Sequence, residues 1–172
     1  CFSAELKKAG YDALFVTGAA AKPVWLFIQN NHIEIKDASS LWGKDVEETL
    51  HELRQSFNRP IGVAAIGQAG ENRVRFSMAF IDGIATLGRG GFGAVMGAKN
   101  LKAIVVHGDQ GIGVVDHRRY KRLNKTFMQR IGDWRYLKES QELGLIKSFP
   151  MVPLDTYKKI KKRRIACVSC PI

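Results

Sequence analysis

Five glycines within ten residues constrain the fold of this chain more than any other feature of its sequence. The run reads GRGGFGAVMG from Gly88 to Gly97, and glycine loses more backbone entropy on folding than any other residue. Such a density is expected where the backbone adopts positive φ or brings its N–H groups against a ligand, often a phosphate. Arg89 lies inside the run, and its guanidinium group suits phosphate or carboxylate. The run predicts a loop that holds an anionic cofactor, or alternatively a tight turn that packs two layers together.

The common nucleotide-binding motifs do not fit this run. A GxGxxG spacing begins at Gly88, but the dinucleotide fingerprint needs a strand leading directly into the first glycine and a full helix after the last. The preceding strand is expected to end near Ile81, and at ~3.6 residues per turn only about two helical turns fit before the next strand. The Walker motif is excluded because Lys99 is followed by Asn100 and the glycine spacing differs.

Composition and charge bound the broad class of the protein. The chain has 172 residues, of which 45% are hydrophobic and 25% charged, as in a soluble globular protein of one domain or parts of two. The sequence contains no run of eighteen apolar residues, so no membrane-spanning helix is predicted. Three cysteines without a secretory signal indicate a reducing compartment, which we take to be the cytoplasm. Both ends of the sequence suggest a fragment of a longer protein. The net charge of +11 is consistent with binding to an anionic cofactor, nucleic acid or an acidic protein partner. It is equally consistent with a fragment that lacks a compensating acidic part of the protein.

Hydrophobic periodicity predicts an α+β fold, with mixed or antiparallel sheets and helices, over residues 1–110. Strands are expected over 11–17, 23–29, 32–36, 61–66, 74–81 and 101–107. Helices are expected over 3–10 and 45–57. Asp45 is the predicted N-cap of the second helix, with Glu48 as its capping-box partner. Residues 67–72 read as a turn.

The composition changes after a glycine-rich linker at 108–113. Asp116 is the predicted N-cap of a basic helix, and a short last helix is expected over 154–164. Residues 111–172 therefore predict the beginning of an all-α domain.

Cys167 and Cys170 form a CxxC pair that follows a basic segment at 158–164. The pair is consistent with half a zinc site, a thioredoxin-like redox couple, the start of an iron–sulfur ligand set or two ordinary buried cysteines. A zinc site needs a second pair that this sequence lacks, and the redox couple fits a preceding polybasic segment poorly. The basic segment is a solvated helix face, a charge that compensates an anionic cluster, or a surface for an acidic electron carrier. Nucleic-acid binding is also possible, but no aromatic stacking platform is interleaved with the charges.

Together, these motifs resemble the tungsten-dependent aldehyde ferredoxin oxidoreductases. The matching segments are AELK through GYDA, IKDAS with WGK, IGQAGEN, GRGGFGAVMGAKNL with KAIVV, and the CxxCPI at 167–172, which resembles the opening of a CxxCxxxC cluster motif. The resemblance spans most of 3–108, thins over 110–160 and returns at 165–172.

The resemblance implies that the N-terminal domain forms the base for a bis-pterin tungsten or molybdenum cofactor. The carbonyl of Thr86 would bind a magnesium ion that bridges the pterin phosphates. Gly88, Arg89 and Gly90 would contact phosphate or pterin. Relatives commonly carry an arginine where Ala85 stands, and this departure leaves the subgroup open.

The resemblance also implies that Cys167 and Cys170 ligate a [4Fe-4S] cluster, with a further cysteine expected four residues after Cys170. The implied activity is oxidation of an aldehyde to a carboxylic acid, with electrons passing through the cluster to ferredoxin or a similar acidic carrier. One alternative is an aryl-CoA reductase subunit of the same family. The other, from a different functional class, is a basic nucleic-acid-binding module with a zinc half-site. We expect no membrane association and a homodimer or larger complex. The catalytic acid and base would lie outside this sequence.

Overall fold

A computed structural model describes residues 1–144, 146, 151 and 153–162, and the chain divides after Ile112 into two units. The elements of the first unit are α1 (Phe2–Lys8), β1 (Val24–Gln29), β2 (His32–Asp37), α2 (Val46–Gln55), β3 (Gly62–Ala65), α3 (Gln68–Glu71), β4 (Ala79–Ile81), β5 (Ala85–Leu87), α4 (Phe92–Ala98) and β6 (Leu101–His107).

The six strands form one mixed sheet in the order β2-β1-β6-β3-β4-β5. The strands β1 and β6 are parallel, and every other neighbouring pair is antiparallel. The parallel pair joins strands that are far apart in sequence, as parallel pairing requires a long crossover connection. The predicted α+β class with a mixed sheet is confirmed.

Apolar side chains bury both faces of this sheet. On one face, Leu50 and Leu53 of α2 pack with Phe27, Val63 and Val105 in the larger core cluster. On the other face, residues of α1 and the segment after it pack around a smaller cluster. The members of the smaller cluster and its partly buried neighbours are Ala9, Ile28, Val106, Phe2, Leu6, Tyr11, Leu14 and Ile104.

The beginning of α2 follows its predicted capping box. The side chain of Asp45 accepts a hydrogen bond from the backbone N–H of Glu48 at 2.8 Å, and the Glu48 carboxylate accepts one from the N–H of Asp45 at 2.9 Å. Two backbone donors that the first helical turn leaves without partners are thereby satisfied.

Three predictions for the first unit were wrong. Residues 11–17 form no strand: Leu14 packs against the smaller core cluster, and Phe15 is 89% exposed. Residues 67–72 contain the helical turn α3. Only the end of 74–81 pairs as β4, because Val74 N–H and Ser77 N–H donate to local turn carbonyls.

The second unit contains α5 (His117–Gly132), α6 (Leu137–Leu143) and α7 (Leu154–Ile160). Asp116 accepts a hydrogen bond from the backbone N–H of Arg119 at 2.9 Å, so the predicted cap of α5 is confirmed. The last helix ends earlier than predicted, because Lys161 adopts an extended backbone conformation. None of the helices in the described part of the chain is long and apolar enough to cross a membrane.

A buried carboxylate ties α1 to the end of β6. Glu5 is 4% exposed, and its Oε2 accepts a hydrogen bond from Gly108 N–H at 3.1 Å. Its Oε1 lies 3.1 Å from Lys8 Nζ. Burial by itself raises the pKa of Glu5, but the Gly108 hydrogen bond and the Lys8 hydrogen bond and charge outweigh it, so the pKa lies below its ordinary value.

We expect Glu5→Gln to destabilise the chain at neutral pH and to do so less as the pH falls. Because the folded-state pKa lies below the unfolded one, the carboxylate's contribution is full above the unfolded pKa and is lost as the pH falls through the folded pKa. Urea unfolding followed by far-UV circular dichroism, from roughly pH 3 to pH 7, measures the gap between wild type and variant. The exposed Glu34, whose pKa is lowered by hydrogen bonds from His32 and Lys36, provides the control, and Glu34→Gln is expected to change little. A gap for Glu5→Gln that is independent of pH would contradict this assignment.

Candidate anion-binding site

The structure divides the glycine run into two parts with different roles. Gly88 and Gly90 are exposed in the turn between β5 and α4, whereas Gly93 and Gly97 are buried within α4. A Cβ on Gly97 would overlap the carbonyl oxygen of Gly70. The packing interpretation therefore holds for the second part of the run, where glycine lets α4 approach α3 closely.

The turn itself depends on backbone conformations that favour glycine. Gly90 has φ of 91° and Gly91 has φ of 67°. Gly91 is also pressed against the preceding segment, since a Cβ at this position would overlap the carbonyl oxygen of Arg75. The last residues of the turn are thus fixed both by their own conformation and by contact with a neighbouring stretch of backbone.

The four residues predicted to hold the cofactor lie together at the exposed end of β5. Thr86 is the middle residue of this strand, which pairs only with β4 among the strands of the described sheet. A Cβ on Gly88 would lie 3.3 Å from Thr86 Oγ1. Arg89 and Gly90 continue the turn, and all four residues are exposed. The structure brings the predicted residues into one short, accessible segment.

The turn carries positive charge and hydrogen-bond donors without partners. Among the described residues, the side chain of Arg89 makes no hydrogen bond or ion pair. In the same part of the chain, no backbone hydrogen bond uses the N–H groups of residues 88–91. A guanidinium group beside free backbone N–H groups is the donor set that a phosphate needs. The residues present therefore fit a phosphate group.

Asp82 precedes the turn but does not neutralise it. Its Oδ2 accepts a hydrogen bond from Phe2 N–H at 2.7 Å, and its Oδ1 accepts one from Val63 N–H at 2.8 Å. Asp82 also holds a left-handed conformation, with φ of 55°. Its carboxylate joins α1, β3 and the hairpin between β4 and β5, so it stabilises the fold beside the turn.

A cavity of 380 Å³ lies next to this region. Its lining includes Gln68, Phe76, Ser77 and Met78, and Met78 Sδ would lie 3.4 Å from a Cβ on Gly88. The Ser77 hydroxyl is buried and has no hydrogen-bond partner among the described residues. A buried hydroxyl without a partner costs about 1–3 kcal/mol, so Ser77 is a site where a bound polar group or water would be stabilising.

The predicted iron–sulfur ligands Cys167 and Cys170 lie outside the described residues. Within the described part of the chain, no group of three or more His, Cys, Asp or Glu side chains is placed to hold a metal ion. Of the basic segment, Lys158 and Lys159 are exposed on α7, and residues 163 and 164 lie outside the described part.

Sequence reasoning missed a buried ion pair between Lys102 and Glu71. Lys102 is 0% exposed, forms an ion pair with Glu71 and donates a hydrogen bond to the carbonyl of Lys44 at 2.7 Å. A β-bulge lies at Lys102, because Val24 pairs with Leu101 and the next residue of β1 pairs with the residue after Lys102. The one feature of the sequence that could have indicated this ion pair was a lysine within an otherwise apolar strand.

Known proteins resemble this chain in sequence. The family model of the aldehyde ferredoxin oxidoreductase N-terminal domain matches residues 1–108. The tungsten-containing aldehyde ferredoxin oxidoreductase of Pyrococcus furiosus is 50% identical over 120 residues, which are 69% of this chain and 20% of that protein. The protein of the same name from Pyrococcus abyssi is 44% identical over 131 residues, which are 76% of this chain and 22% of that protein. The chain thus spans about a fifth of the length of these curated relatives.

A solved structure also resembles the chain in its fold. It is the active-site complex BamBC of benzoyl coenzyme A reductase with 1,5-dienoyl-CoA, with a TM-score of 0.72 and 38% sequence identity. The match covers 88% of this chain and 22% of that one. The fold described above is therefore similar to part of a chain in a benzoyl coenzyme A reductase complex.

Proposed function

This chain belongs to the aldehyde ferredoxin oxidoreductase family, and from that premise we propose that its first unit holds the phosphates of a pterin cofactor at the turn formed by residues 86–90. The observation that carries the proposal is the exposed Arg89 beside backbone N–H groups that have no partner among the described residues. The relatives are named as tungsten-containing enzymes, which favours tungsten, with molybdenum as its chemical analogue, at the pterin.

Each residue of the turn has a separate part in holding this cofactor. The Arg89 guanidinium donates to phosphate oxygens through its fork of N–H groups. Gly88 and Gly90 leave the backbone accessible, so that phosphate oxygens reach the N–H groups directly. The carbonyl of Thr86, on the outer strand of the sheet, is an oxygen ligand of the kind that magnesium prefers. Magnesium at this carbonyl would neutralise phosphate charge next to Arg89.

The whole protein then acts as an oxidoreductase on an aldehyde. When bound, the cofactor supplies the redox chemistry, in which aldehyde and water give a carboxylic acid, two protons and two electrons. Cys167 and Cys170 would ligate a [4Fe-4S] cluster, which would supply a path for electrons out of the site. The exposed Lys158 and Lys159 attract ferredoxin or another acidic carrier. This activity is proposed for a complete enzyme of the family, and the chain spans about a fifth of the length of its curated relatives.

The sequence matches to proteins named aldehyde oxidoreductases support an aldehyde as the proposed substrate class. The structural match to a benzoyl coenzyme A reductase complex supports an aryl-CoA substrate as the alternative. Family membership also favours the oxidoreductase over a nucleic-acid-binding module with a zinc half-site. Iron, acid-labile sulfide and tungsten or molybdenum in the purified full-length protein would support the enzyme, whereas stoichiometric zinc alone would contradict it.

We expect Arg89→Gln to weaken cofactor retention in the full-length protein. Loss of one charge-assisted contact to phosphate is expected to weaken binding about tenfold, so that less tungsten or molybdenum and less pterin survive purification. Elemental analysis and pterin fluorescence measure both quantities. Iron content is expected to be unchanged, because the cluster ligands are separate residues.

The matched control is Arg118→Gln, which removes the same charge from α5 in the second unit. It is expected to retain wild-type amounts of metal and pterin. Full cofactor retention by the Arg89 variant would overturn the assignment of the turn.

A further inference from the structure

Arg75 belongs to a stretch of backbone that packs along the glycine turn. A Cβ on Gly91 would overlap the carbonyl oxygen of Arg75, so the two backbones are in direct contact there. Two residues further on in each segment, Gly93 N–H donates a hydrogen bond to Ser77 carbonyl oxygen at 3.1 Å. Residues 75–77 and 91–93 are therefore held side by side, and Arg75 has a fixed place beside the turn.

This contact brings two arginines close together. Arg89 is two residues before Gly91, so their Cα atoms lie at most about 7 Å apart. Arg75 touches Gly91 through its own carbonyl. Both arginine side chains are exposed. Long, flexible side chains that start from backbone positions this close can contact one ligand.

The fold does not neutralise either arginine. Neither Arg75 nor Arg89 makes a side-chain hydrogen bond or ion pair with another described residue. The nearest carboxylates in sequence are already engaged: Glu71 binds Lys102 and Gly43 N–H, and Asp82 accepts its two backbone hydrogen bonds. The positive charge of both side chains is therefore available to an anion from outside this part of the chain.

We propose that Arg75 is a second phosphate-binding residue of the site, which clamps a cofactor phosphate together with Arg89. This inference rests on the proposed function of the turn and adds a residue that the sequence motifs do not mark. Two guanidinium forks on one phosphate give more hydrogen bonds and more fixed geometry than one. The expected consequence is that the two arginines contribute to phosphate affinity to a similar degree.

The chain offers a matched control in Arg73. Arg73 is also exposed and without a side-chain partner among the described residues, and it lies two positions from Arg75. Its backbone N–H donates to Gly70 carbonyl oxygen at the end of α3, and not to the glycine turn. Arg73→Gln therefore removes the same charge from the same surface without removing a residue that contacts the turn.

The test is binding of inorganic pyrophosphate to the full-length apoprotein, measured by isothermal titration calorimetry at low ionic strength. Arg75→Gln and Arg89→Gln are each expected to weaken the affinity about tenfold, and Arg73→Gln less than about twofold. Arg75→Lys, which keeps the charge but not the fork, is expected to lie between wild type and Arg75→Gln. Far-UV circular dichroism establishes that each variant is folded.

The outcomes separate this inference from the proposed function. If Arg89→Gln weakens binding but Arg75→Gln does not, the role of Arg75 is wrong and the function of the turn stands. If Arg73→Gln weakens binding as much as Arg75→Gln, the effect is general surface charge and the clamp is overturned. If neither Arg75→Gln nor Arg89→Gln weakens binding, or wild type binds no pyrophosphate, the turn is not the phosphate site and both proposals fail.

Discussion

Replacing Lys102 with methionine is expected to lower the free energy of unfolding by about 3–5 kcal/mol. Lys102 is completely buried, and the side chain of its partner Glu71 is only 5% exposed. The substitution leaves the Glu71 carboxylate in the interior without its cation, which is much more costly than loss of a surface ion pair. It also removes the donor to Lys44 carbonyl oxygen, which joins the turn before α2 to β6.

Urea unfolding of the chain, followed by far-UV circular dichroism, measures this effect. The double variant Lys102→Met with Glu71→Gln is expected to recover part of the loss, because it removes the unpaired buried charge. The control is Lys44→Met, which breaks the partly exposed pair with Glu52 and is expected to cost less than about 1 kcal/mol. Equal destabilisation by the two single lysine variants would show that the pair at Lys102 is not buried as described.

The sequence predicts those parts of the fold that depend on neighbouring residues. The capping box needs only Asp45 and Glu48, three residues apart, and both of its hydrogen bonds are present. The cap of α5 by Asp116 is equally local. Continuous apolar residues likewise marked the strands β1 and β6, because most of their side chains are buried. Alternation marked β2 as a strand, but Ile33 and Ile35 are 48% and 71% exposed, so the alternation did not identify its buried face.

Contacts between distant residues could not be predicted in this way. Lys102 is 31 positions from Glu71 and 58 positions from Lys44. Nothing near Lys102 in the sequence distinguishes a buried, paired lysine from an exposed one. The prediction of a strand at 11–17 failed for a related reason. Tyr11 and Leu14 pack on the sheet without pairing, and periodicity reports burial and not hydrogen bonding.

In the candidate site, too, residues that are neighbours in the sequence could be predicted and a residue distant in the sequence could not. Thr86, Gly88, Arg89 and Gly90 are contiguous enough for a motif to mark them, and the structure places them together at one exposed turn. Arg75 carries no motif, and its place beside the turn depends on the contact of its carbonyl with Gly91. The glycine run alone could not separate packing from ligand binding, because glycine serves a close backbone approach and an accessible turn equally well.

Gly97→Ala is expected to destabilise the chain by about 3 kcal/mol or more, at the upper end of overpacking substitutions. Gly97 has an ordinary helical φ, so glycine is needed here only for space. The added Cβ would overlap Gly70 carbonyl oxygen and would meet Glu71 Cα at 3.3 Å. These are backbone atoms of α3, which cannot rotate away as the end of a side chain can. The two helices must therefore separate, and α4 would carry the adjoining turn with it.

Two glycine-to-alanine variants are controls for this prediction, again by urea unfolding. Gly132 is the last residue of α5 and has no atom within 4 Å of an added Cβ, so Gly132→Ala is expected to be neutral or to stabilise by up to about 1 kcal/mol. In Gly88→Ala the added Cβ would lie 3.3 Å from Thr86 Oγ1 and 3.4 Å from Met78 Sδ. Because both of these side chains can adjust, we expect little loss of stability. A wild-type urea midpoint for Gly97→Ala would mean that α3 and α4 are not in backbone contact. The expected order, with a large loss of stability at Gly97 and little at Gly88, would separate the glycines needed for packing from those in the exposed turn, where we propose that phosphate binds.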